Sequence, residues 1–327
     1  MKTIRILAIA IFVLIVGEVV SKSSVIWGFH AHRKINRLAV FTLPPDLIDL
    51  YKRHIVYITE NAVNPDERRY AIKEEAPRHY IDLDVYGEHV FEILPHRWDS
   101  AVAIYTEDTL QAYGIVPWHI SLMKWQLTKA FEEHNLEKIL RYSADIGHYI
   151  ADANVPLHTT QNYNGQLTDQ HGIHGFWESR LPELWDGDYN FFVGRAVYVD
   201  QVSEYVWAGV KQAHLAVDSV LLFEKQLSES FSSSKKYSYE ERGNTTVRVY
   251  SKKYSQAYHQ SLNGMVERQM RASIKMVGDI WYTCWVDAGQ PDVSDLLHLD
   301  LNDQQKKELK QEKESWKNRN IKSREHN

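Results

Sequence analysis

The chain has 327 residues, of which 44% are apolar and 25% charged. That balance is ordinary for a folded globular chain and excludes a fully disordered one. A formal charge of -5 disfavours a broad basic face for gripping duplex nucleic acid. The single cysteine, Cys284, excludes an intrachain disulfide and a multi-cysteine zinc ribbon, so a transition-metal site has to come from carboxylates and the 16 histidines.

Lys2 and Arg5 precede an apolar run, Ile6 to Gly17, that Glu18 closes. So short a run behind two basic residues reads as a signal peptide over residues 1–26, hence a secreted or periplasmic protein. The absence of an A-x-A cleavage pattern leaves an uncleaved N-terminal membrane anchor as the alternative. Residues 27–300 read as one all-α domain. Apolar side chains recur at helical spacing over 31–41. Pro44-Pro45 opens a helix over 45–61, with Leu47, Leu50, Tyr51, Ile55 and Ile58 on one side. Two more helices are expected over 118–133 and 135–153. Residues 159–175, rich in Thr, Gln, Asn and Gly, read as a loop. Periodic segments follow over 198–230 and 246–286, separated by a polar loop at 231–245. Cys284, inside W-Y-T-C-W, belongs to the core. Asn244-Thr245-Thr246 fits a glycosylation acceptor. From Leu301 the chain turns polar, and 301–327 reads as a charged, solvated tail or frayed helix.

The densest chemistry lies between residues 145 and 178. His148 and Asp152 are spaced i, i+4, which puts both on one helix face. His158 follows beyond Pro156, and His174 and Glu178 form a second i, i+4 pair. The order is H-x3-D-x5-H-x15-H-x3-E. One such pair is ordinary on a solvated face. Two pairs and a fifth residue in so short a stretch point to metal binding, since imidazole nitrogen and carboxylate oxygen both suit Zn2+. Asp66 and His79, in N-P-D-E-R-R and R-H-Y-I-D-L-D, and the W-G-F-H-A-H stretch from Trp27 to His32 are unremarkable alone. Asp145, one turn before His148, is a candidate supporting partner of a ligand. His171 lies near the cluster in sequence, and His30 has no place in the pattern.

Taken together, W-G-x3-H, D-x12-H, H-x3-D-x5-H and H-x3-E resemble the zinc-dependent phospholipase C and single-strand-specific nuclease superfamily, over residues 27–288. The resemblance implies an all-α fold of the phospholipase C/nuclease type around three zinc ions. By the match, Asp66, His79, His148 and Asp152 hold the first ion, and His158, His174 and Glu178 the second. Trp27 (through its backbone), His32 and a bridging Asp152 hold the third. The implied reaction is phosphodiester hydrolysis by a zinc-activated water, which Asp66 orients or deprotonates. In the family the Trp is the first mature residue. Here Ser24-Val25-Ile26 precedes it, and Ile26 is a poor residue for signal cleavage, so the third site depends on further trimming.

The five-residue separation of Trp27 and His32 resembles the nuclease branch. H-Y-I-D at 79–82 is similar to the nuclease H-F-I-D, which makes Tyr80 and Asp82 the base-binding candidates. Glu178 departs from the nuclease Asp and resembles the phospholipase. The leading expectation is an endonuclease acting on single-stranded RNA or DNA. A phospholipase C cleaving phospholipid headgroups and a non-catalytic zinc-binding secreted protein are the alternatives, and no protein partner is implied.

Overall fold

The computed structural model describes residues 29–243, 245–317, 319 and 321. The signal segment, Trp27 and Asn244 of the glycosylation triplet lie outside the described residues. The fold is all-α, with one two-stranded antiparallel hairpin.

Helix α1 spans Phe29–Ala39, α2 Pro45–Arg53 and α3 Ile55–Glu60. The helix expected over 45–61 is thus two, because His54 leaves helical geometry at φ -105° and ψ 20°. Pro45 sits at the first turn of α2, where its missing N–H costs nothing. A short helix, α4 (Asn64–Arg68), carries Asp66. Two long antiparallel helices follow, α5 (Val116–Glu132) and α6 (Leu136–Ala153). The Asn135 side chain caps α6 by accepting from the Lys138 N–H at 3.1 Å.

Helix α6 is the axis of the molecule. Every residue from Ser143 to Ala153 is buried, His148 and Asp152 included. A helix buried all round has no solvent to satisfy its polar side chains, so those must find partners inside. It packs against α1, α5 and the long helix over Met265–Asp287. Gly147 sets how closely α1 approaches. A Cβ there would lie 2.1 Å from Asn36 Oδ1, while Asn36 Nδ2 donates to the Ala144 carbonyl at 3.0 Å.

The periodic segment expected over 198–230 is not helical from its start, since residues 189–201 lie outside any helix. Their N–H groups donate elsewhere: Ala196 to the Thr42 carbonyl, Val197 to Asp279 Oδ1 and Val199 to Thr283 Oγ1. Helix α7 (Val202–Leu215) then starts, and the remaining periodic segment breaks at Ala216 before Val217–Ser230.

The polar loop expected at 231–245 and the start of the helix expected over 246–286 instead form the hairpin. Strand β1 is Tyr237–Arg242 and β2 is Thr245–Tyr250, paired from Tyr237↔Tyr250 to Arg242↔Thr245. The alternation T-T-V-R-V-Y, rich in β-branched and aromatic residues, is a strand signal that helical periodicity further along the chain obscured. Gly243, at φ 56°, supplies the turn. Helices α8 (Lys252–Ser261) and α9 (Met265–Asp287) complete that region. Cys284 is buried in α9, as its aromatic neighbours suggest.

The charged C-terminal segment contains helix α10 (Asp303–Lys317), which packs on α4. Its Trp316 is buried, with the Arg68 guanidinium 5.7 Å from the ring centroid. Beyond it the Ile321 N–H donates to the Tyr70 carbonyl at 2.9 Å. Among the described residues no helix is long and apolar enough to cross a membrane.

Candidate metal centre

Eight side chains expected to bind metal converge from six places in the chain. Helix α1 brings His32, α4 brings Asp66, and a 3-10 turn (Ala76–His79) brings His79. Helix α6 supplies His148 and Asp152 one turn apart, and the turn Pro156–Thr159 supplies His158. His174 opens a short helix whose next turn, Phe176–Arg180, winds as a π-helix carrying Glu178. Such wide turns are often found at functional sites. The close α1–α6 approach at Gly147 puts the His32 and His148 rings in a stack with centroids 4.0 Å apart.

The donor atoms form four overlapping buried or half-buried groups able to hold a metal ion: His32, Asp66 and His148; His79, His148 and Asp152; His158, His174 and Glu178; His32, Asp152 and Glu178. Asp152 divides its oxygens. Oδ2 lies 2.9 Å from His79 Nδ1 and 3.2 Å from His148 Nε2, and Oδ1 lies 3.4 Å from His32 Nε2 and 3.9 Å from His158 Nε2. Glu178 does the same: Oε2 is 2.7 Å from His174 Nε2 and 3.4 Å from His158 Nε2, and Oε1 is 3.3 Å from His32 Nε2. Asp66 Oδ1 is 3.8 Å from both His79 Nδ1 and His148 Nε2.

These spacings fit shared cations. Donors about 2.1 Å from a tetrahedral ion lie about 3.4 Å from one another, and the separations above, 2.7 to 3.9 Å, bracket that value. The outer ring nitrogens fix the tautomers that leave lone pairs inward. His148 Nδ1 faces the Ala62 carbonyl at 2.8 Å, His174 Nδ1 faces the Tyr163 carbonyl at 3.1 Å, and His158 Nδ1 contacts the His79 carbonyl. Each of these rings then presents Nε2 to the cluster.

Burial by itself would raise the Asp152 carboxyl, but the His148 and His158 imidazoles outweigh it and hold Asp152 well below the usual carboxylate range. Glu178 is also held well below the usual carboxylate range, its burial outweighed by its contacts with His158, His174 and His32. Burial would lower His32, yet Glu178, Asp152 and Asp66 together push it up to about 9. For His148 and His174 burial wins, and both are lowered from the ordinary histidine range.

The other expected residues fall as follows. Tyr80 and Asp82 lie on a strap that runs past residues 113–116: Asp82 N–H donates to the Tyr113 carbonyl and Val116 N–H to the Tyr80 carbonyl. Both side chains are buried, with 8% and 6% exposed. Asp145 does not touch a ligand histidine; it accepts from Arg68 Nη1 at 2.9 Å. His30 pairs with Asp186 at 2.6 Å, away from the donors. The exposed His171 meets Tyr250 through its carbonyl.

No protein-family model matches the chain, and no curated protein matches it. Sequence reasoning missed two features of the centre. One is the reach of Glu178: the longer side chain divides its oxygens between two donor groups as Asp152 does, and the Glu-for-Asp departure was the available signal. The other is Glu75, completely buried behind His79. Only its place among charged neighbours in K-E-E-A-P-R-H marks it in the sequence, and that pattern alone reads as surface.

Proposed function

We propose that this protein is a secreted or periplasmic zinc-dependent phosphodiesterase, most simply an endonuclease of single-stranded RNA or DNA. The observation that carries the reading is the division of Asp152 and Glu178 between neighbouring histidine groups. Shared carboxylates suit a centre of adjacent cations, and nitrogen–oxygen donor sets suit zinc. Divalent ions bound there polarise phosphoryl oxygens and bring the pKa of water toward neutrality. The chain's own contribution is a fixed, buried donor set with one accessible carboxylate. Asp66 has 17% of its side chain exposed, against 2% and 8% for Asp152 and Glu178, and Arg69 Nη1 lies 3.6 Å from its Oδ1. Asp66 therefore stands at the edge of the cluster, where it can orient a water or accept its proton. With two divalent ions against three carboxylates the centre is positive. An acidic protein can in this way hold a phosphate.

The nucleic-acid substrate rests on the nuclease-like W-G-x3-H spacing and H-Y-I-D motif. Two observations favour a second reading, phospholipase C: Glu178 stands where the nucleases carry Asp, and the burial of Tyr80 and Asp82 limits the stacking surface offered to a base. The test is to incubate zinc-loaded protein with single-stranded RNA, single-stranded DNA and phosphatidylcholine vesicles, each with and without a chelator. Chelator-sensitive release of oligonucleotides supports the nuclease reading. Release of phosphocholine alone replaces it with the phospholipase. No turnover on any substrate, with zinc bound, leaves a non-catalytic zinc-binding protein.

A further inference from the structure

His148, His158 and His174 turn Nε2 to the cluster and Nδ1 to a backbone carbonyl. His79 is reversed. Its Nδ1 faces inward, 2.9 Å from Asp152 Oδ2 and 3.1 Å from His148 Nε2. Its Nε2 points outward into the protein and has no hydrogen-bond partner, although it is completely buried. The group it faces is Glu75, with Oε1 at 3.8 Å.

Glu75 is itself completely buried. Its carboxylate accepts from Arg68 Nη2 at 3.3 Å, from Arg78 Nη1 at 2.8 Å and from the Tyr149 hydroxyl. A carboxylate has about four acceptor positions, so three donors leave one for His79 Nε2–H. Neutralising the arginines does not account for this burial. Arg68 already holds Asp145, and Arg78 is 32% exposed. The contacts fix the carboxylate in place and keep it ionised, its charge directed at the outer nitrogen of one ligand.

We propose that Glu75 is the positioning residue of His79: it holds the Nε2–H tautomer, aims Nδ1 into the centre and raises the basicity of that nitrogen toward a metal ion. A carboxylate behind a ligating histidine typically contributes 10–100-fold in metal affinity. The proposal rests on His79 being a metal ligand and is independent of the substrate.

The test titrates metal-free protein with Zn2+ against a chromophoric chelator, counting ions and affinities, for the parent and for Glu75→Gln, Glu75→Asp and Tyr149→Phe. Histidine-labelled protein gives the imidazole N–H resonances, His79 being assigned through His79→Gln. Glu75→Gln should weaken one ion by about 10–100-fold and leave the others within about twofold. It should also shift the His79 Nε2–H resonance, with Glu75→Asp restoring part of both effects. Tyr149→Phe keeps the charge and removes one donor, so it should weaken the same ion less; it also serves if Glu75→Gln does not fold. Unchanged affinity and resonance in folded Glu75→Gln overturn the positioning role, as does an equal loss for every ion. A parent protein that binds no zinc overturns the metal centre itself.

Discussion

Replacing Gly147 with Ala tests the packing that brings His32 to the centre. A Cβ at this position would lie 2.1 Å from Asn36 Oδ1 and 2.8 Å from its Cγ, where contacts under 3.0 Å are essentially never tolerated. Asn36 must retreat by about 1 Å, but it is completely buried and its Nδ2 holds the Ala144 carbonyl. Overpacking costs about 1–3 kcal/mol. Breaking the Asn36–Ala144 bond adds about 1–3 kcal/mol for the buried group left unpaired. Ala gains back about 1 kcal/mol in helix propensity over Gly. The expected net loss is about 3 kcal/mol, read as a fall in Tm of roughly 6 °C or more for a domain of this size. Thermal unfolding of the metal-free protein isolates this from metal linkage. Gly209→Ala is the control: there the Cβ meets the far end of the flexible Met276 side chain at 2.7 Å and Asn154 Oδ1 at an ordinary 3.5 Å, and the change should be neutral or slightly stabilising. A Gly147→Ala protein as stable as the parent would refute the claim that this glycine sets the α1–α6 approach.

Other expectations follow from the same geometry. Asp66→Asn should nearly abolish turnover while leaving helical circular dichroism intact, and full activity would remove its proposed role. His158→Ala or His174→Ala should each lower zinc content by about one ion per chain; unchanged content by elemental analysis would break the ligand assignment. In metal-free protein, His32 is raised from 6.5 to about 9. Its ion pairs therefore stabilise the fold fully below pH 6.5, and that contribution is lost as pH rises to 9, by an amount on the order of 3 kcal/mol at most. Urea midpoints across this window should fall in the parent and stay flatter in His32→Asn; parallel profiles would contradict the shift. Deleting residues 301–327 removes Trp316 from Arg68 and should cost about 3–5 kcal/mol, with faster proteolysis between Asn64 and His79 as the second readout.

Part of the candidate centre was legible because two pairs of its donor residues are local. The i, i+4 pair His148 and Asp152 shares one face of α6 wherever that helix docks, and His174 and Glu178 still meet at 2.7 Å across a turn that winds as a π-helix. The helix over 135–153 was legible for the same reason, and its observed bounds, Leu136–Ala153, differ by one residue at the start. The hairpin was not legible. Six-residue strands carry little periodicity, and the helical pattern of Lys252–Asp287 spread backwards over them. The non-helical start of the segment expected over 198–230 was not legible because it depends on groups far along the chain, as where Thr283 Oγ1 receives the Val199 N–H.

The sequence by itself determined the all-α class, the helix that carries His148 and Asp152, and the set of residue types able to bind metal. Each of these rests on spacing within a few residues, where backbone geometry alone fixes which side chains meet. The tertiary structure decided the rest. It set the approach of α1 to α6 at Gly147, the division of Glu178 between two donor groups and the reversed ring of His79. It also placed the burial of Glu75 beneath Arg68 and Arg78, and of Arg68 against Trp316. These join residues up to 248 positions apart, as Arg68 and Trp316 do across the whole domain. Contacts of that separation depend on which surfaces pack together, and no local pattern encodes them.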